Sequence, residues 1–223
     1  MVEIPGPETP PLDPVYVQWS AAPADRAGRP LLVLLHGYGA DEHDLFGLVP
    51  YLPREFVVAA VRAPLTPPFP APGFSWYPIE GLDGRDPRHV TEAASRLNEW
   101  VSASSDLEPV GLLGFSQGAA VALQAMRLQP DSYAFAVNLS GYVTPGPLAQ
   151  DDVLAELRPP VFWGRGTHDD VIPDFLVGHS TDWLPAHVEL SGRVYPGLTH
   201  SVSEAELGDV ATFLRKQLDE PAA

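Results

Sequence analysis

Gly114-Phe115-Ser116-Gln117-Gly118 limits the fold more tightly than any other stretch of this chain. The apolar run 109–113 precedes it and reads as a buried strand, and residues 119–126 read as a helix. A serine held between the two must occupy a sharp, strained turn. Glycine on either side avoids a Cβ that would collide with the neighbouring strand and helix. Such a turn lifts the hydroxyl above the sheet edge, towards the free N–H groups of the helix N-terminus. A glycine-rich turn with a merely capping serine has the same form, so the rest of the chain must decide between them.

That chain alternates strands with helices. Residues 15–19 alternate in polarity and read as an edge strand. The runs 31–35, 56–61, 134–139 and 161–164 are apolar almost throughout, as strands covered on both faces are. Residues 192–195 form a last short strand. Helices are expected over 41–48, with acidic residues in the first turn, and over 89–104, where Val90, Ala93, Ala94, Leu97 and Val101 share a face. Another is expected over 174–184, and residues 147–157 form a short helix or loop. In the final helix Ser203 and Glu206 make a capping box, with Val202 and Leu207 as a hydrophobic staple. The pattern predicts an α/β fold: a mostly parallel central sheet, helices on both faces, and ligands at the carboxyl ends of the strands. Residues 63–87 form a long Pro- and Gly-rich loop carrying Phe69, Phe74, Trp76 and Tyr77, and loops of that length are often functional.

A length of 223 residues fits one domain, here 15–223, after a loose proline-rich arm over 1–14. That arm has neither the basic start nor the apolar run of a signal peptide. With no cysteine there can be no disulfide framework and no thiolate nucleophile, which fits the cytoplasm. A net charge of −16 argues against nucleic acid and anionic membrane surfaces, and no apolar run is long enough for membrane insertion. Nor is there a Lys/Arg cluster to receive a highly anionic substrate. His36 is expected to hydrogen-bond loop backbone. His43, His89, His168, His179 and His187 lack ligand spacing, so no metal and no cofactor is expected.

Four strand ends carry reactive or loop-forming groups: His36-Gly37-Tyr38-Gly39, Ser116, Asp169 and His200. In a parallel sheet these ends share one rim. A serine hydroxyl needs a base to become nucleophilic. Histidine has the right proton affinity, and a carboxylate fixes its tautomer. Asp170 stands beside Asp169, and reads as a solvated or capping carboxylate.

The stretches Leu34-Leu35-His36-Gly37-Tyr38-Gly39-Ala40-Asp41, Trp76-Tyr77, Gly114-Phe115-Ser116-Gln117-Gly118, Gly166-Thr167-His168-Asp169-Asp170-Val171-Ile172-Pro173 and Tyr195-Pro196-Gly197-Leu198-Thr199-His200-Ser201 together resemble the phospholipase/carboxylesterase family of α/β-hydrolases. That family includes bacterial carboxylesterases and acyl-protein thioesterases. The resemblance implies Ser116 as nucleophile, His200 as general base, Asp169 as its orienter, and an oxyanion hole from the N–H groups of Tyr38 and Gln117. It departs from the family at Asp170, where similar sequences carry proline. Phe74, Trp76, Tyr77 and Leu198 are expected to line the substrate site. The chain between Ser116 and Asp169 is too short for a large lid, so an open site for small or medium acyl esters, thioesters and lysophospholipids included, is expected. Acyl transfer, amide or peptide hydrolysis, and a non-catalytic binding protein stay open as alternatives. The family also includes dimers, which makes a homodimer an expectation.

Overall fold

A computed structural model describes residues 9–13, 16–79, 85–104 and 107–219. Among the described residues seven strands form one sheet, in the order β1-β3-β2-β4-β5-β6-β7. They are β1 (Val17–Trp19), β2 (Leu31–Leu35), β3 (Val57–Val61), β4 (Val110–Phe115), β5 (Phe135–Leu139), β6 (Pro160–Gly166) and β7 (Glu189–Tyr195). Only β1 runs antiparallel, pairing Val17 with Val61, so the sheet is mostly parallel as the apolar runs predict. Chain order reverses at β2 and β4, whose carboxyl ends therefore diverge into loops on opposite sides. The crevice between them is where such sheets bind ligands.

Side-chain alternation along the strands divides the core. Leu31, Val33, Leu35, Val110, Leu112, Ala136 and Val161 face one side. There α1 (Pro87–Ser104), α2 (Gln117–Leu128), α3 (Asp151–Leu157) and α4 (Asp174–His187) lie against them. Leu32, Leu34, Leu113, Val137, Leu139 and Phe162 face the other, under Val210, Phe213 and Leu214 of α5 (Glu204–Asp219). Burial of both faces explains why the strands read as unbroken apolar runs.

Three details differ from the sequence reading. The helix expected over 41–48 is instead a set of turns leading into a 3₁₀ segment, Leu45–Tyr51. Gly47 weakens a regular helix there, and Pro50 lacks the N–H it needs. Of the loose arm expected over 1–14, residues 1–8 and 14 lie outside the described residues. Residues 9–13 are docked, since Leu12 joins the core and the Thr9 carbonyl accepts from Arg96 Nε at 2.8 Å. Residue 15 of the expected edge strand also lies outside the described residues. The capping box at α5 is half made. Ser203 Oγ accepts from the Glu206 N–H at 3.2 Å, whereas neither carboxylate oxygen of Glu206 has a hydrogen-bond partner. Glu206 has turned inward over Gly164 of β6, where the missing Cβ leaves it room.

Candidate active site

Ser116 lies where β4 turns into α2, with φ 53° and ψ −115°, a left-handed strain rare outside glycine. The turn closes this tightly because of its glycines. A Cβ on Gly114 would stand 2.5 Å from the Ala119 backbone, and one on Gly118 would stand 2.2 Å from the Leu35 carbonyl oxygen. The Ser116 N–H is anchored to the Leu139 carbonyl at 2.8 Å. Its side chain meets solvent only at the rim, with the residue 8% exposed.

His200 and Asp169 reach the same rim from the loops after β7 and β6. His200 Nε2 lies 2.8 Å from Ser116 Oγ, and its Nδ1 lies 2.8 Å from Asp169 Oδ2. The other Asp169 oxygen accepts the amides of Val171 (3.0 Å) and Ile172 (3.2 Å). Burial pushes the Asp169 carboxyl up, but the His200 hydrogen bond, its charge and those two amides outweigh burial and hold it below the usual carboxylate range. An ionised Asp169 keeps the proton on Nδ1 and leaves Nε2 free to accept from serine. The Phe115 ring packs on the imidazole, centroids 4.9 Å apart. Asp170 is exposed.

The loop after β2 supplies Tyr38. Buried His36 organises that loop: its Nδ1 faces the Gly37 carbonyl at 2.7 Å, and its Nε2 accepts from the Ala63 N–H at 3.0 Å. Together these bonds define the neutral tautomer with the proton on Nδ1. Burial lowers its proton affinity, against the Gly37 bond and the nearby acids Asp41, Asp44 and Glu42. Gln117 opens α2, so its N–H has no acceptor one turn back within the helix. Tyr38 and Gln117 both line the cavity above Ser116.

That cavity holds about 200 Å³. This is below the roughly 300–1,000 Å³ of drug-sized sites. Of the four residues expected to line it, only Tyr77 does. Trp76 is fully buried behind it and donates its indole N–H to the His36 carbonyl at 2.9 Å. Phe74 packs under the Arg62 guanidinium, 4.5 Å from its ring centroid, and its backbone pairs with Ala40. The Leu198 carbonyl accepts from the His168 N–H at 2.9 Å, and Leu198 is not among the lining residues. The reason is common to Trp76 and Phe74: the Gln117 side chain draws the loop inward, accepting from the Trp76 N–H (2.8 Å) and donating to the Tyr77 carbonyl (2.7 Å). Sequence reading missed Ile79, Arg85, Phe115, Tyr142, Val171 and Ile172 in the lining. The place of Val171-Ile172 beside Asp169 was a usable signal for those two, and nothing local marked Arg85.

A rim built this way places the molecule among the serine hydrolases of the α/β-hydrolase class. The chain belongs to the Phospholipase/Carboxylesterase family, whose model matches residues 20–218. Acyl-protein thioesterase 1 of Saccharomyces cerevisiae is 35% identical over 115 residues, or 50% of this chain; the match spans about half of that relative's length (51%). The Kluyveromyces lactis acyl-protein thioesterase 1 is 28% identical over 93% of this chain and 99% of its own. Among solved structures, the Bacillus cereus carboxylesterase superposes with a TM-score of 0.77 at 18% identity, covering 90% of this chain and 93% of that one. Zea mays acyl-protein thioesterase 2 does so with 0.75 at 23%, covering 91% and 98%. The family and its esterase and thioesterase members make this chain an enzyme of the ester-hydrolysing class. Among the described residues no group of three or more His, Cys, Asp or Glu could hold a metal, and no helix is long and apolar enough to cross a membrane.

Proposed function

We propose that this protein hydrolyses carboxylic esters and thioesters of small to medium acyl groups through an acyl-enzyme on Ser116. The reading is carried by the unbroken hydrogen-bond chain from Ser116 Oγ through His200 to Asp169, 2.8 Å at each link. Ser116 Oγ attacks the acyl carbon while its proton passes to His200 Nε2. The imidazolium is stabilised by ionised Asp169. Negative charge gathers on the former carbonyl oxygen, which the Tyr38 and Gln117 N–H groups receive, each such donor contributing roughly 3–4 kcal/mol. His200 then protonates the leaving alcohol or thiol. The oxyanion collapses, the ester bond breaks, and the acyl group stays on Ser116. Water repeats the sequence: it gives its proton to His200, displaces serine and releases the acid.

The 200 Å³ cavity supports short acyl groups over long ones. A cytoplasmic location, supported by the absence of cysteine, belongs to the same proposal. So does pairing into a homodimer, which light scattering would test. The enzymatic experiment is hydrolysis of 4-nitrophenyl esters from acetate to palmitate by wild type and Ser116→Ala. Short chains should turn over fastest, and Ser116→Ala should lose on the order of 10⁶ in kcat. Turnover surviving in Ser116→Ala would exclude Ser116 as nucleophile.

A further inference from the structure

The two edges of the sheet are unlike. At one edge β1 has three residues and offers little backbone to a newcomer. At the other β7 has seven, Glu189–Tyr195, with no proline and no lysine among them. The Glu189 N–H donates to the Pro159 carbonyl at 3.1 Å, and the Tyr195 carbonyl accepts from the Thr167 N–H at 3.1 Å. Bonds to one neighbour alternate along a strand, so Glu189, Ser191, Arg193 and Tyr195 turn their backbone groups to β6. Leu190, Gly192 and Val194 turn theirs outwards. Among the described residues only the Gly192 carbonyl there has a partner, Arg193 Nη1 at 2.9 Å. Pairing with β6 runs unbroken from Glu189 to Tyr195, so no bulge twists the edge away. Edges of this length are ordinarily blunted by proline, lysine or a bulge, and β7 has none of them.

Gly192 stands near the middle of β7, and its own fold does not require a glycine there. Its φ lies outside the left-handed region, and an added Cβ would meet only Leu190, at an ordinary 3.9 Å. A glycine inside a strand that needs neither the conformation nor the space marks a place where another backbone approaches closely. The side chains around it divide by face. Glu189 and Arg193 lie on the α5 side, where Lys216 Nζ is 3.3 Å from the Glu189 carboxylate and Asp209 is 3.9 Å from Arg193 Nε. Both keep more than half of their side chains in solvent. Leu190 packs on the opposite core, and Val194, on that same face, is 51% exposed.

We propose that β7 pairs antiparallel with β7 of a second copy of this chain, about a two-fold axis at Gly192, so that two sheets become one. This gives the homodimer reading its interface and rests on that reading, and it is independent of the chemistry at Ser116. With Gly192 opposite Gly192, the outward groups of Leu190, Gly192 and Val194 exchange hydrogen bonds with the same three residues of the second copy. Leu190 then lies opposite Val194 on one face, which covers exposed Val194 with an apolar neighbour. On the other face Glu189 and Arg193 of the second copy are diagonal neighbours of opposite charge, within reach of long side chains. Arg193 Nη1 leaves the Gly192 carbonyl to a backbone N–H and turns to that glutamate. Both contacts occur twice, once on each side of the axis, as a closed two-fold interface requires. This self-complementarity of one short segment favours a second copy over a foreign strand.

Sedimentation of the full chain over a concentration series tests the interface. Wild type should run at twice the 24.1 kDa of one chain. Gly192→Pro removes an outward N–H and sets a ring against the second copy without touching a bond to β6, so it should be a monomer where wild type is a dimer. Arg193→Glu places like charges across the axis and should weaken dimerisation about tenfold or more; adding Glu189→Lys restores opposite signs and should recover most of that loss. Because the chain has no cysteine, Gly192→Cys carries a single thiol. Paired Cα atoms at that position stand about 5.5 Å apart, within reach of a disulfide, so mild oxidation should give a covalent dimer. Gly178→Cys on α4 should give none. Circular dichroism reports folding of each variant, and if Gly192→Pro does not fold, the charge swap and the disulfide decide. A wild-type monomer throughout the series, even one that recruits a foreign extended peptide to β7, overturns the homodimer and this interface together. A wild-type dimer that persists in folded Gly192→Pro, a charge swap that recovers nothing, or oxidised Gly192→Cys that stays monomeric overturns the interface alone.

Discussion

Glu206 offers a stability experiment whose sign is fixed by its surroundings. Its side chain is fully buried on α5, packed over Gly164, and neither oxygen has a hydrogen-bond partner. Burial, with Asp209 nearby, raises its pKa from 4.5 to about 7; the Ser203 amide pulls the other way and does not compensate. In the unfolded chain the group returns to its ordinary value near 4.5. Below that pH it is protonated in both states, and the folded protein keeps its full stability. As pH rises the unfolded carboxyl ionises first, and the fold loses stability until about pH 7, where the folded carboxyl ionises too. The span is about 2.5 pH units, or about 3.4 kcal/mol at 1.36 kcal/mol per unit. Relaxation of the fold around the ionised carboxylate reduces this to about 2 kcal/mol. Urea unfolding of wild type and Glu206→Gln at pH 5, 6, 7 and 8 gives the difference directly. The substituted amide adds a constant offset of its own, so only the slope matters. Wild type should lose about 2 kcal/mol relative to the variant between pH 5 and pH 8. A flat difference over that range would refute the claim that Glu206 is a buried, uncompensated carboxylate.

Three further substitutions test the site and its frame. Asp169→Asn should lower kcat on 4-nitrophenyl butyrate about 10⁴-fold, because a neutral amide stabilises the wrong imidazole tautomer, whereas exposed Asp170→Asn should change it less than threefold; equal losses would mean that the two carboxylates share the role. Gly118→Ala should cost roughly 1–3 kcal/mol in urea unfolding and reduce kcat as well, since its Cβ would meet the Leu35 and His36 carbonyls at 2.2 and 2.5 Å and displace the loop that carries Tyr38. Gly178→Ala, on α4 with nothing within 4 Å of the added Cβ, should instead raise stability by about 0.5–1 kcal/mol with kcat unchanged.

Much of this protein could be read along the chain. Apolar runs of strand length read as central strands, and a serine between a strand and a helix with glycine at both flanks reads as a strained elbow once the other strand ends supply an acid and a histidine. These are local facts, set by sterics within a few residues. The nearness of Ser116, Asp169 and His200 also followed, because strand ends of a parallel sheet share a rim whatever the lengths between them. The lining of the cavity was not legible in the same way. Phe74 and Trp76 sit in the expected loop, but the Gln117 side chain, bonded to that loop from a distant part of the chain, pulls it down, and of Phe74, Trp76 and Tyr77 the last alone lines the cavity. Glu206 obeys the capping pattern only through its backbone N–H, which meets Ser203 Oγ; the space left by Gly164 on another element draws its carboxylate inward. No local pattern marks Arg85 as a cavity residue, and only the fold brings it to Tyr142 and Val171. Sequence by itself determined the sheet, the elbow and the order of the reactive groups, because backbone sterics and burial act locally and repeat. Tertiary structure alone decided which side chains face the cavity and what charge they bring to it, because those choices are made by partners far away along the chain.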